Sequence, residues 1–86
     1  MNEPDDLTTR VAAQLADLLD EHGVQEPRGV RITVPVDAEG LAAATGDDPA
    51  EVARVLRELD DAGVVKAAPN AVLVRDRQAL ARQARR

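Results

Sequence analysis

The stretch that decides the fold is residues 37–65, DAEGLAAATGDDPAEVARVLRELDDAGVV. Asp37 is a good N-cap for a short helix, and Gly46 is suited to end it, because glycine readily adopts the left-handed conformation found at helix ends. A second helix start follows at once, with an N-cap acid at Asp48, a proline at the first helical position and a glutamate at the third. The sequence therefore predicts helices over Asp37–Thr45 and Pro49–Ala62, joined by a tight turn around Gly46-Asp47.

The apolar residues of the second helix recur at helical spacing and predict the face that packs on the other helices: Val52, Val55, Leu56 and Leu59. After Gly63, the apolar segments 64–65 and 72–74 flank a turn at Pro69-Asn70, the pattern of a β-hairpin. Residues 30–36 alternate between apolar and more polar side chains, which predicts one half-buried strand. Pro35 cannot donate to a ladder, so this strand is expected at a sheet edge or weakly paired near its end. Residues 24–29 are expected to form a loop.

The two ends of the chain also carry helical patterns. An apolar stripe with acids before it predicts a first helix over Leu7–His22. Asp76 can cap a last helix through about Ala84, anchored by Leu80. The predicted fold class is α+β: a winged helix-turn-helix with a three-helix core, a β-hairpin wing, an extra strand before the helix-turn-helix and a C-terminal helix. We expect a flexible N-terminus over residues 1–6, the domain over 7–75 and a basic C-terminal helix or tail over 76–86.

Length and composition narrow the functional classes. The chain has 86 residues, enough for one domain, and no Phe, Tyr or Trp, so its core must be aliphatic. Missing aromatic side chains disfavour the base-stacking recognition of RNA and single strands. Without cysteine there is no disulfide or thiolate metal site, and without a long apolar run no membrane span is predicted. We expect a cytoplasmic protein. Its net charge of −5 opposes DNA binding, although residues 75–86 are rich in arginine.

No set of catalytic residues is recognisable in the sequence. The chain has one histidine, His22, and neither serine nor cysteine. The acidic pairs at 47–48 and 60–61 are neighbours in sequence, and adjacent residues on a helix do not face each other. The glycines follow no phosphate-binding pattern. We therefore expect a protein that is not an enzyme and that needs no cofactor or metal.

The outward face of the second helix is the candidate binding surface. Ala50 and Ala53 would allow close approach to a DNA major groove, where Arg54 could contact a guanine edge or a phosphate and Arg57 lies on the same face. The alternative is that both arginines only pair with acids at helical spacing: Glu51, Glu58 and Asp61. The acids at the helix start also oppose phosphate binding, because they occupy the end of the helix that normally attracts anions.

From about Arg10 to Arg75 the sequence resembles the C-terminal winged-helix domain of Crp/Fnr-type transcription regulators. The resemblance lies in the helix RVAAQLADLLDEHG, the strand RITVPV, the helix-turn-helix and the hairpin with small turn residues. The family typically has a Ser-Arg-Glu-x-x-x-Arg pattern entering the recognition helix. In this sequence Asp48, Pro49 and Ala50 stand at the first three positions, and only the last arginine, Arg54, is kept. We expect a stand-alone domain, without the family's cyclic-nucleotide-binding barrel and long dimerisation helix.

Two functions follow as hypotheses. The first is a small DNA-binding transcription regulator that contacts double-stranded DNA through the second helix, the wing and the residues beside it: Ala50, Ala53, Arg54, Arg57, Lys66, Asn70, Arg75 and Arg77. The second is a winged helix used for protein–protein contact, with weak or lost DNA binding. A protein partner would then bind the helix-turn-helix face or the C-terminal tail. A homodimer is compatible with either hypothesis, and no membrane contact is expected.

Overall fold

The computed structural model describes residues 6–85, so most of the predicted N-terminal segment 1–6 lies outside the described residues. The elements of this part of the chain follow in the order α1 (Leu7–His22), β1 (Gly23–Glu26), β2 (Gly29–Ile32), α2 (Ala38–Thr45), α3 (Pro49–Asp61), β3 (Val65–Ala68), β4 (Ala71–Val74) and α4 (Arg77–Ala84). The α+β class and the winged helix-turn-helix plan are confirmed. So are the predicted helices and the hairpin that reverses at Pro69-Asn70.

The helix-turn-helix is fixed by its caps. The Asp37 carboxylate accepts a hydrogen bond from the Gly40 amide at 2.7 Å, and the Asp48 carboxylate accepts one from the Ala50 amide at 2.8 Å. Gly46 ends α2 in the left-handed conformation, with φ 78°. Since that conformation is costly for residues with a side chain, a glycine there sets the sharp change of direction between α2 and α3.

The sheet is larger than the sequence predicts. Its four strands are antiparallel in the order β1-β2-β4-β3, so two strands precede the helix-turn-helix instead of one. The expectation of a loop over residues 24–29 is wrong, because β1 pairs with β2 through the register Gly23↔Ile32 to Glu26↔Gly29. Gly29 lies so close to the end of β4 that any side chain would collide with the Val74 carbonyl. This close approach brings the β1–β2 turn beside the base of the wing.

The position and length of β2 also differ from the prediction. β2 lies between β1 and β4, not at an edge, and it ends at Ile32, so the strand predicted through Val36 is too long. The other expectation, weak pairing near the end that contains Pro35, agrees with the structure, because β2 stops before this proline. Val36 is still buried, and its amide donates to the Asn70 carbonyl at 2.9 Å. That bond ties the segment before α2 to the tip of the wing.

One aliphatic core joins the helices to one face of the sheet. It includes Leu80 of α4, which is only 1% exposed, so α4 packs on α1 as part of the same core. Ala79 and Ala84 add to this contact. Whether residues 76–86 act separately as a basic tail stays a prediction. Across residues 6–85, no helix is both long and apolar enough to cross a membrane.

Candidate nucleic-acid interface

The face of α3 that turns away from the core combines small and basic side chains. Val52, Val55, Leu56 and Leu59 are buried as predicted. On the other side Ala50, Arg54 and Arg57 are exposed and Ala53 is half-buried. A helix whose exposed face carries alanines next to arginines can lie close to a surface and still present donors to it.

Arg54 does not stand free on this face. Its guanidinium lies 2.8 Å from a Glu51 carboxylate oxygen and 2.8 Å from one of Glu58, one turn away on either side. The hydrogen bond with Glu51, more than the pair with Glu58, raises the pKa of Arg54 above its ordinary value. The alternative in which Arg54 pairs with these two acids is therefore the arrangement in the free protein. By contrast, no described side chain forms an ion pair with Arg57.

The acids at the start of α3 are held by the fold. The Arg10 guanidinium of α1 donates two hydrogen bonds to the Asp47 carboxylate, at 2.8 and 3.0 Å, and this contact lowers the pKa of Asp47. The Asp47 side chain is 18% exposed, so its charge is compensated and turned into the protein. Asp48 accepts the capping bond from the Ala50 amide. The helix start is therefore less repulsive to phosphates than the sequence alone indicates, because one of its charges is paired.

A cleft of about 300 Å³ runs between α3 and the wing. Its α3 side includes Ala53 and Arg57, and its wing side includes Ala67, Ala68 and Pro69. The other lining residues are Asp37, Ala38, Leu56, Asp60 and Asp61. The Asp60 carboxylate accepts a hydrogen bond from the Ala67 amide at 2.9 Å, which fixes β3 against α3. Arg57 is the basic residue among those that line the cleft. The acidic residues among them are Asp37, Asp60 and Asp61.

The structure separates the predicted contact residues into groups. Ala50, Ala53, Arg54 and Arg57 share α3, and Asn70 lies at the wing tip next to the cleft. Lys66 and Arg75 lie elsewhere: with Arg28 and Leu73 they line a depression of about 410 Å³. Arg77 begins α4, and its guanidinium lies 3.9 Å from the Asp20 carboxylate of α1. Within the described part of the chain, no group of three or more potential metal ligands occurs.

Comparison with known protein families shows which family the chain belongs to. The family model described as the Crp-like helix-turn-helix domain matches residues 9–83 of the 86-residue chain. The chain belongs to this family. The match includes α4, so the Crp-like domain extends past the wing, and the resemblance noted over Arg10 to Arg75 is confirmed.

Solved structures agree with this assignment. A CRP-family transcriptional regulator from Thermus thermophilus is 31% identical, with a TM-score of 0.81 over 92% of this chain and 40% of its own. A second CRP/FNR-family regulator from that organism is 26% identical, with a TM-score of 0.82 over 94% of this chain and 41% of its own. The CO-dependent transcription factor CooA from Carboxydothermus hydrogenoformans is 21% identical and shares the fold, with a TM-score of 0.86 over 93% of this chain and 37% of its own.

This Crp-like domain thus spans well under half the length of the solved regulators it matches. No curated protein gives a significant match. The family and the fold identify the chain as a Crp-like helix-turn-helix domain.

The residue that sequence reasoning missed is Arg10. It stands 37 positions before Asp47, and no local spacing rule connects two residues so far apart. The available signal was an arginine in the first half of α1, directly before Val11 of the predicted apolar stripe.

Proposed function

We propose that this domain binds double-stranded DNA as part of a transcription regulator, with α3 in the major groove. The proposal is supported above all by the exposed face of α3. It carries Ala50 and Ala53 beside two arginines, on the second helix of the helix-turn-helix, which is the helix that reads DNA in motifs of this kind. The alanines permit close approach, and an arginine can read the O6 and N7 acceptors of guanine or hold a phosphate.

The two arginines have different roles in this proposal. Arg57 has no ion-pair partner among the described residues and lies at the cleft toward the wing, so it is ready to contact DNA. To contact DNA, Arg54 must break its ion pair with at least one glutamate. Breaking that pair offsets part of the DNA affinity that the new contact supplies. Asn70 at the wing tip would add a backbone contact. The further assignment of Lys66, Arg75 and Arg77 to DNA finds less support in their placement, because they lie away from this cleft.

The acidic net charge of the chain limits the expected affinity for DNA. Two to four phosphate contacts by one copy would give a log–log salt slope of about −2 to −4, at about 0.9 per phosphate. Binding of one copy to random duplex should be weak, near or beyond about 10⁻⁴ M at physiological salt. A homodimer reading two half-sites about one helical turn apart would raise the affinity and double the slope.

The test is a titration of labelled duplex DNA at two salt concentrations with Arg54→Ala, Arg57→Ala and the control Arg82→Ala. Arg82 is an exposed arginine on α4, outside the proposed interface. Its removal therefore makes the same change in net charge as the other two substitutions without touching the face of α3. If Arg57 holds a phosphate, its removal should flatten the slope by about one unit. If Arg54 reads a base, its removal should cost about 5- to 150-fold in discrimination at that base pair.

Two results would contradict the proposal. One is a folded protein that shows no salt-dependent binding to duplex DNA even at low salt. The other is an equal effect of all three substitutions, which would mean that DNA responds to net charge and not to the face of α3.

A further inference from the structure

The outer face of the sheet carries a surface that the DNA proposal leaves unused. The inner face packs on the helices through buried residues of three strands: Val30, Ile32, Val65, Val72 and Val74. Because side chains alternate along a strand, the residues between them point outward. Strand register places four of these outward residues in one row across all four strands: Val24 of β1, Arg31 of β2, Leu73 of β4 and Lys66 of β3.

This row lies in a basic surface on an acidic protein. Arg28 and Arg75 stand beside it, and with Lys66 and Leu73 they line the depression of about 410 Å³. No described acidic side chain forms an ion pair with Arg28, Lys66 or Arg75. The Arg31 guanidinium lies 2.6 Å from the carboxylate of Glu26, which is the one acidic residue of the β1–β2 hairpin. A chain with net charge −5 therefore concentrates uncompensated positive charge on one face.

The same face is also apolar in part. Val24 is 44% exposed, the highest exposure of a large apolar side chain among the described residues, and Leu73 is half-buried between Arg31 and Lys66. A nucleic-acid backbone offers phosphate charge, but only the CH groups of its sugars and no aliphatic side chain to cover these residues. An acidic protein segment with apolar residues between its carboxylates offers both.

We propose that the outer face of the sheet binds an acidic, leucine-containing segment of a partner protein. An apolar side chain of that segment would cover Leu73, and its carboxylates would meet Lys66, Arg75 and Arg28. Arg31 and Lys66 are two strand spacings apart, about 9.5 Å, close to the rise of three residues in a polyproline II helix, about 9.3 Å, where every third side chain points the same way. The matching segment therefore repeats its acids every third residue.

This surface is separate from the DNA-binding face. Lys66 and Ala67 are neighbours on β3 and point to opposite sides of the sheet, and Ala67 lines the cleft beside α3. The domain can therefore hold DNA at α3 and an acidic partner on the sheet at the same time. The inference does not depend on the proposed DNA contact.

The experiment measures fluorescence anisotropy of the labelled peptide EELEELEELEEL, with EESEESEESEES as the matched peptide that lacks leucine. The test variant is Lys66→Glu with Arg75→Glu, both at exposed positions. The control reverses two exposed arginines of the α4 region, Arg82→Glu with Arg85→Glu. Charge reversal at two contacts should weaken binding of the leucine peptide about ten-fold or more, since each exposed pair contributes modestly and each becomes repulsive. The control should lose much less.

Leu73→Ser tests the apolar part. It should weaken binding of the leucine peptide and leave binding of the serine peptide unchanged, with circular dichroism to check that the variant is folded. The proposal is overturned if the unaltered protein fails to bind the leucine peptide at millimolar concentration, or if both charge reversals weaken binding equally. It is also overturned if a short DNA duplex displaces the peptide and the double variant Lys66→Glu with Arg75→Glu loses as much affinity for DNA as for the peptide. The outer face of the sheet would then be a site for DNA phosphates.

Discussion

The glutamates that hold Arg54 give the most informative test of how this domain meets DNA. In the free protein Arg54 is bound on both sides, 2.8 Å from Glu51 and 2.8 Å from Glu58. The three side chains carry one net negative charge. Changing both glutamates to glutamine keeps their shapes, turns that charge into one positive charge and releases the guanidinium. We expect Glu51→Gln with Glu58→Gln to bind duplex DNA more tightly than the unaltered protein.

The magnitude follows from counterion release. If the released Arg54 neutralises one more phosphate, the log–log salt slope should become steeper by about 0.9. Between about 50 and 200 mM salt, a roughly four-fold change, that difference corresponds to a factor of about 3.5 in affinity. The gain over the unaltered protein should therefore be about 3.5 times larger at the lower of these salt concentrations than at the higher. Fold stability should change little, because exposed ion pairs on a helix contribute little.

The assay is anisotropy of a labelled duplex, measured at several salt concentrations between these limits. The matched control is Asp17→Asn with Glu21→Gln, which removes two exposed acids one turn apart on α1. It makes the same change in net charge without releasing an arginine on α3. Screening confines exposed charges to about 14 Å at the lower of these salt concentrations and about 7 Å at the higher, so the control should have a much smaller effect. An equal gain in both double variants, or a slope that stays unchanged in the α3 variant, would refute the reasoning.

Three further predictions concern the fold that presents α3. Leu80→Ala should lower the free energy of unfolding by about 2–5 kcal/mol in chemical denaturation, because Leu80 is 1% exposed and joins α4 to the core. A smaller loss would mean that α4 is not part of the cooperative unit. Asp48→Ala should cost about 0.5–2 kcal/mol by the same assay, because it removes the N-cap of α3. Arg10 lowers the pKa of Asp47, so the pair stabilises the fold above the ordinary pKa of aspartate and loses that effect as the pH falls through the lowered value. Asp47→Asn should therefore be less stable than the unaltered protein at neutral pH, and the difference should shrink as acid is added, a trend that urea titrations from neutral to strongly acidic pH would reveal or exclude.

The sequence predicted the elements whose signals are local. Capping acids, Pro49 and the apolar spacing of α3 lie within a few residues of one another, and the structure has α2 and α3 where these signals put them. β1 was not predicted because its residues are mostly exposed and show no apolar alternation. It is a strand because β2 pairs with it. The alternation over residues 30–36 indicated burial correctly at Val36, but burial there comes from a loop held by Asn70 and not from a strand.

The candidate site, too, was predicted only where the signals in the sequence are local. The residues that face outward on α3 follow from helical spacing, and so does the pairing of Arg54, which the sequence left as one of two alternatives. The neutralisation of Asp47 by Arg10 and the separation of Lys66 from α3 depend on how distant elements pack. No spacing rule reports that packing, and so the grouping of the basic residues became visible only in the structure.

The contact between Arg10 and Asp47 has a consequence for how sequences of this kind can diverge. Replacing the arginine alone would leave a largely enclosed carboxylate without its counter-charge, and replacing the aspartate alone would remove two hydrogen bonds from the guanidinium. Either single change costs more than replacing both with a pair of neutral residues that fit together. We therefore expect the residues at these two positions to covary among close relatives, changing together although 37 positions separate them.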